Sequence, residues 1–300
     1  MFISKEKSFG YIHLWGYSMI DAVCTYGGKR KTYTIFNFQN LSSSDIEKYR
    51  QYLECPNPKC AAEAYYRRKS IDGKAACFGS RYHTQGCNEG RSSPQREREV
   101  RQAIEVNKII ADSKEVIFDF FAVDSQPPEK SNTVSPPISK SASLGSSKSH
   151  TSTKATFRNT VLGMEKALNS LLRGSDLAQS DTTITIDEKY SYKAKNLFVN
   201  FADAEPADSP KDARPKMFWG TISHSDADME WLNPAECNDV GIPIKRYKNK
   251  IFKRFKITEK RDLEGAGFII FGKCFWNAQK TRKIIELWNA DRVFISVDED

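Results

Sequence analysis

Five residues between positions 55 and 87 are of types that bind a soft or borderline metal ion: Cys55, Cys60, Cys77, His83 and Cys87. Four of them fall into two close pairs, Cys55-Pro-Asn-Pro-Lys-Cys60 and His83-Thr-Gln-Gly-Cys87. A pair at such spacing lets one tight turn aim two ligands at one ion, and two pairs complete the tetrahedral N/S set that Zn²⁺ takes in structural sites. Pro56 and Pro58 suit a tight knuckle, and Gly86 relieves the backbone just before Cys87. The spacing therefore predicts a structural zinc held by Cys55, Cys60, His83 and Cys87. Cys77 stays open as a replacement for His83, or as a small buried residue beside Phe78. Four protein ligands leave no coordination position for water, so the chemistry expected here is cross-linking, not catalysis.

The residues between the ligands carry a second signal. Tyr65-Tyr66-Arg67-Arg68-Lys69 sets aromatic faces beside cations, and Arg81 and Tyr82 precede His83. Bases can stack on such rings while guanidinium groups hold phosphates. The same run also fits a solvated hairpin whose tyrosines cover the metal. In pattern, the Cys55–Cys87 stretch resembles the Cys-x-x-Cys…Phe-x-x-His…Cys fingers of bacterial nucleic-acid-processing proteins of the competence CoiA type. It departs from them in its wider first pair and in the spacing from Phe78 to His83. The resemblance implies a metal-bound module in a nucleic-acid-handling protein.

A net charge of +8 and a pI of about 9.0 favour polyanionic partners, nucleic acid above all. The charge concentrates between Lys245 and Arg261, where Glu259 is the one acid. Read as a strand, Lys248, Lys250, Phe252, Arg254 and Lys256 share one parity and face outward, while Ile251, Phe255 and Ile257 face a core. An aromatic ring among cations on a sheet face is a stacking platform in a positive groove, which single strands need. A basic edge strand whose lysines prevent edge pairing has the same pattern.

These groups need a scaffold. The chain of 300 residues predicts an α+β protein in two domains. The first, 1–124, is a small zinc-bound α+β unit. It has strands over 11–15 and 33–38 around a Gly27-Gly28 turn, helices near 44–53 and 94–107, and a strand over 115–121. The Ser/Pro/Lys-rich stretch 125–156 reads as a flexible linker. The second domain, 157–300, opens with a helix over 157–173 and continues as short strands separated by Gly, Asn, Asp and Pro. That density predicts a small barrel of the OB type, or a sandwich.

The seven cysteines, the lack of a secretory leader and the absence of a long apolar run point to a cytoplasmic protein with no membrane partner. No phosphate-binding Gly-rich loop or nucleophile elbow occurs. Asp181, Asp187, Asp262 and Glu264 offer a weak nuclease pattern, which surface or turn roles fit better. The composite expectation is a non-catalytic nucleic-acid-binding protein that prefers single-stranded DNA or RNA. An adaptor that docks a protein partner within a larger complex is the alternative.

Overall fold

The computed structural model describes residues 19–90, 94–122, 160–187 and 189–297. Strands β1 (Asp21–Cys24) and β2 (Lys31–Thr34) form an antiparallel hairpin. Gly27 and Gly28 turn it with φ of 67° and 73°, values that side chains resist. The hairpin was expected to begin at 11–15, which lies outside the described residues. The strand expected over 33–38 stops at Thr34, whose side chain accepts the Asn37 N–H at 3.2 Å and so starts helix α1 (Ile35–Gln39). Helix α2 (Ser43–Tyr49) is likewise capped two residues earlier than the Ser44 spacing implies, by Ser42. Strands β3 (Leu53–Glu54), β4 (Glu63–Arg67) and β5 (Cys77–Gly79) complete an antiparallel sheet in the order β2-β1-β3-β4-β5. Phe38, Tyr66 and Phe78 meet in its core with ring centroids 5.0–6.1 Å apart.

Helix α3 (Pro94–Asp112) leads into β6 (Glu115–Asp119). The helix expected over 157–173 begins instead as a strand, β7 (Val161–Gly163), before α4 (Met164–Leu172). Met164, Leu168, Leu171 and Leu172 of α4 are buried, and Gly174 ends the segment at φ 68°. Strands β8 (Thr183–Ile186) and β9 (Tyr190–Lys193) follow. These strands form a second sheet in the order β7-β6-β8-β9, in which β6 is parallel to both β7 and β8. The boundary expected near Asp124 thus falls between neighbouring strands of one sheet. The stretch 125–156 lies outside the described residues.

Helix α5 (Ala194–Leu197) and strand β10 (Phe198–Asn200) bring the chain to a barrel. Its strands are β11 (Pro215–Ser225), β12 (Trp231–Pro234) and β13 (Val240–Pro243), followed by helices α6 (Lys248–Phe255) and α7 (Lys260–Leu263), then β14 (Gly267–Trp276) and β15 (Lys283–Glu286). Strand β11 pairs with β12, β12 with β13, β13 with β15, β15 with β14, and β14 with β11, closing a five-stranded ring. Strand β14 returns beside β11 after the helical connection, the Greek-key order. Strand β10 and a last strand, β16 (Val293–Ser296), flank the ring on β11 and β14.

Side-chain alternation explains why 267–271 is apolar throughout. Phe268 and Ile270 point into the barrel core with Phe218, Ile222 and Ile285. Ile269 and Phe271 point the other way, into a second core with Phe118, Leu168, Ile184 and Met217. One strand pair therefore serves two cores. Gly267 allows α4 to lie close, since a Cβ there would stand 2.7 Å from Leu172 Cδ1. No helix among the described residues is long and apolar enough to cross a membrane.

Candidate metal centre and the basic segments

The first metal-ligand turn joins β3 to β4. The Cys55 N–H donates to the Ala62 carbonyl at 2.8 Å, and the Cys60 and Ala61 N–H groups both donate to the Asn57 carbonyl at 2.9 Å. The Asn57 side chain accepts the Lys59 N–H at 3.0 Å, an Asx turn that tightens the knuckle. The second turn follows β5, with the Cys87 N–H on the Thr84 carbonyl at 3.1 Å and Gly86 at φ 80°.

These turns gather one ligand atom each from Cys55, Cys60, His83 and Cys87, all within 4.8 Å of one another. Cys55 Sγ and Cys87 Sγ are 3.7 Å apart, and Cys60 Sγ and His83 Nδ1 are 3.5 Å apart. Zn–S bonds of about 2.3 Å and a Zn–N bond of about 2.0–2.1 Å at the tetrahedral angle put these edges at about 3.8 Å and about 3.6 Å. The sulfur separation is far beyond a disulfide bond of about 2.05 Å. The four residues therefore fit a tetrahedral metal ion. Among the described residues no other His, Cys, Asp or Glu cluster of three or more does so. Cys77 stays outside the cluster, half-buried in β5 opposite Arg67.

Neighbouring donors fix the sulfurs. The Thr84 N–H points to Cys60 Sγ at 3.4 Å, and Asn57 Nδ2 to Cys87 Sγ at 3.5 Å. Burial pushes the Cys55 thiol up to about 12. At Cys60 burial acts in the same direction, but N–H groups of Thr84 and Ala62 outweigh it and lower the thiol. Such donors stabilise thiolates and hold them in the ligand geometry. Cys55 and Cys87 also belong to the core of Phe38, Tyr66 and Phe78, so a bound ion would cross-link that core directly.

The aromatic and basic run between the ligands is buried more deeply than expected. Tyr65, Tyr66 and Arg67 are 3–5% exposed. The Tyr65 ring lies between Gly79 and Gly265, where a Cβ on either glycine would collide with it. Neither tyrosine offers a face to a base. The Arg67 Nε donates to the Glu264 carbonyl at 3.0 Å, and the Arg68 Nε to Glu264 Oε1 at 2.8 Å. Of the five, Lys69 is exposed and Arg68 half-buried. The hairpin's cations hold the module to the barrel segment 261–265. Arg81 does the same, donating to the Gly265 carbonyl at 2.6 Å, to Glu99 at 3.1 Å and to the Ser296 carbonyl at 3.0 Å. Glu99 also pairs with Arg173 at 2.5 Å.

The basic segment 248–256 is a helix and not the expected strand. Residues two apart on a helix do not share a face, so Lys248, Lys250, Phe252, Arg254 and Lys256 do not form one outward row. Ile251 is buried in the barrel core with Phe252 and Phe255 packed beside it. Phe255 meets Phe294 edge-on at 5.6 Å. Lys248 lies over the Phe252 ring and bonds the Asp228 carbonyl at 2.5 Å. Lys250, Lys253 and Arg254, spaced i, i+3, i+4, form the exposed basic stripe, with Lys256 beyond them as a left-handed cap at φ 54°. Lys250 pairs with Asp291 at 2.8 Å. Lys253 is the functional candidate that the strand reading turned the wrong way.

The acids weighed for nuclease chemistry are spread apart. Asp181 pairs with Lys195, Asp187 with Arg292, Asp262 caps α7, and Glu264 is buried against Arg50 and Arg68. Comparison of the chain with protein-family models, with curated proteins and with solved structures finds no match.

Proposed function

We propose that this chain is a non-catalytic nucleic-acid-binding protein, favouring single-stranded DNA or RNA, whose zinc ion is structural. The observation that carries the reading is the exposed stripe of Lys250, Lys253 and Arg254 on the helix that links the third and fourth strands of a five-stranded Greek-key barrel. A five-stranded Greek-key barrel is the OB arrangement, which binds oligonucleotides across its second and third strands and adjoining loops. Cations at i, i+3 and i+4 project to one side of a helix and can track a phosphate backbone. The zinc ion, held by Cys55, Cys60, His83 and Cys87, supplies rigidity by joining the β3–β4 turn to the segment after β5. No open coordination position is needed for that role.

Fluorescence anisotropy with a labelled single-stranded oligonucleotide tests this reading across a salt series. We expect log K to fall with log[salt], with a slope of about −0.7 for each phosphate contact. The combined variant Lys250→Glu, Lys253→Glu, Arg254→Glu should weaken binding and flatten that slope. Salt-independent affinity, or full affinity in the variant, would remove the helix from the interface.

A further inference from the structure

Trp288 stands in the loop between β15 and β16 and is 39% exposed, although tryptophan is highly buried on average. Its ring meets Phe271 with centroids 5.3 Å apart and planes at 62°, so Phe271 supports the indole at an angle and does not stack on it. Among the described residues no other ring packs on the indole and no cation lies over it. Other rings of the basic regions already carry a cation: Lys48 lies over Tyr26 at 4.7 Å, Lys248 over Phe252 at 5.6 Å and Arg254 over Phe255 at 4.9 Å. Trp288 carries none.

The loop that carries Trp288 is clasped by α6 and the residue before it. Tyr247 donates its hydroxyl to the Trp288 carbonyl at 2.6 Å. Three residues further on, Asp291 pairs with Lys250 at 2.8 Å, and its carbonyl accepts from Arg254 at 3.5 Å. Two members of the basic stripe thus hold the loop on which the indole is presented, and a loop held in place loses little freedom when a ligand binds. The acids of this face are accounted for within the chain. Asp291 is taken by Lys250, Asp187 pairs with Arg292 at 2.6 Å, and Glu286 stands opposite Lys273 across β14 and β15. Glu230 pairs with Lys245 at 2.9 Å, and Asp226 and Asp228 act on the same amine. Arg246, Lys253 and Arg254 are exposed and pair with no carboxylate among the described residues. Cations without carboxylates therefore lie beside a ring without a cation.

We propose that Trp288 is a stacking platform for an unpaired nucleobase whose flanking phosphates meet Lys253 and Arg254. Every base offers a π-face, and stacking on an aromatic side chain needs that face to be free. The inference rests on the nucleic-acid reading above and deepens it. A duplex brings phosphates to the α6 stripe but no free base face, so the indole makes this surface selective for single strands. The platform belongs to the loop after the fifth strand of the ring, apart from the second and third strands that OB barrels commonly use.

The experiment measures the affinity of the full chain for a labelled single strand, for the same strand made fully abasic, and for its duplex. The abasic strand keeps every phosphate and removes every base. We expect wild type to bind the base-bearing strand about tenfold more tightly than the abasic one, the scale of one base stacked on a ring. That ratio should fall towards one in Trp288→Ala and largely recover in Trp288→Phe. The salt slope of Trp288→Ala should match wild type, because no phosphate contact is lost. The strand should also quench tryptophan emission in wild type more than in Trp288→Phe. Comparing the two strands on wild type requires no substitution, so misfolding of a variant cannot hide the result. Equal affinity of wild type for the two strands overturns the platform and leaves phosphate binding by α6 intact. An equal loss on both strands in Trp288→Ala marks a structural role and overturns it too. Absence of binding to any of the three nucleic acids removes the platform and the nucleic-acid reading together.

Discussion

Arg50 and Glu264 form a fully buried ion pair at 2.8 Å across 214 residues of sequence. Both side chains are 0% exposed. Arg50 also donates to the Tyr66 and Ser223 carbonyls at 3.0 Å, and Glu264 accepts the Arg68 N–H at 2.8 Å. The pair therefore sits where the metal-ligand module, β11 and the segment before β14 converge. Removing one partner strands a buried charge, which costs about 3–5 kcal/mol, whereas removing both does not. Urea denaturation should show Glu264→Gln and Arg50→Met each losing stability on that scale. The double variant Arg50→Met, Glu264→Gln should lose clearly less stability than the sum of the two single losses. Additivity within about 0.5 kcal/mol would mean the two act separately.

Metal analysis should find one zinc ion per chain, lost in Cys87→Ser and in His83→Ala but kept in Cys77→Ser. Chelation should lower the melting temperature and the near-ultraviolet circular dichroism, because Tyr66 and Phe78 lie in the core that Cys55 and Cys87 share. Rebinding should release protons, since thiols coordinate as thiolates. Retention of the metal by His83→Ala together with its loss from Cys77→Ser would exchange the fourth ligand.

Glu236 predicts a pH dependence. Its carboxyl is raised from 4.5 to about 7, chiefly by burial, while Tyr82 donates to Oε1 at 2.5 Å and the Thr221 N–H at 2.6 Å. The folded chain holds this proton more tightly than the unfolded chain. The group's contribution is thus complete below about 4.5 and is lost as pH rises through about 7, on the order of 3 kcal/mol in all. His224 acts in the opposite sense: its depressed pKa gives a contribution present above 6.5 and lost as pH falls towards about 2. Denaturation of wild type and Glu236→Gln at several pH values, with zinc saturating, isolates the first effect. The stability difference between them should change in favour of the variant between pH 4.5 and 7, and a constant difference would exclude the raised carboxyl.

Gly265→Ala should destabilise by at least about 2 kcal/mol, because its φ of 81° disfavours a side chain and the added Cβ would enter the Tyr65 ring. Strand affinity of the folded fraction should stay at the wild-type value, as expected of a ring that packs and does not stack on bases. A selective loss of binding without loss of stability would return Tyr65 to the interface.

The metal centre was legible because its information is local. Two pairs of ligands five and four residues apart, each with turn formers, leave little freedom for where the ligand atoms meet. The barrel was legible from strand density and turn residues, although closure rests on β11 meeting β14 and β13 meeting β15, pairings that no local pattern encodes. The segment 248–256 misled for a physical reason. Ile251, Phe252 and Phe255 are spaced i, i+1, i+4 and fit a helical face, but Ile251, Phe255 and Ile257 fit a strand equally well in so short a window. Lysine and arginine at the intervening positions favour the helix. The arginines of 67–81 read as surface because their buried acceptors, Glu264 and Gly265, lie nearly two hundred residues away.

The central position of β6 bears on how the chain assembles during synthesis. Both its sheet neighbours, β7 and β8, are made after it. Val116 and Phe118, 1–2% exposed in the finished fold, emerge from the ribosome with no strand to lie against. The four candidate metal ligands are complete by Cys87, so the first sheet can gather them while translation continues. Arg50 and Arg81 can meet Glu47 and Glu99 early, but Arg50, Arg67 and Arg81 gain their acceptors at Glu264 and Gly265 only when that stretch appears. The nascent chain thus passes through a stage in which the gathered ligand cluster and its neighbouring arginines wait for the barrel segment that supplies their remaining acceptors.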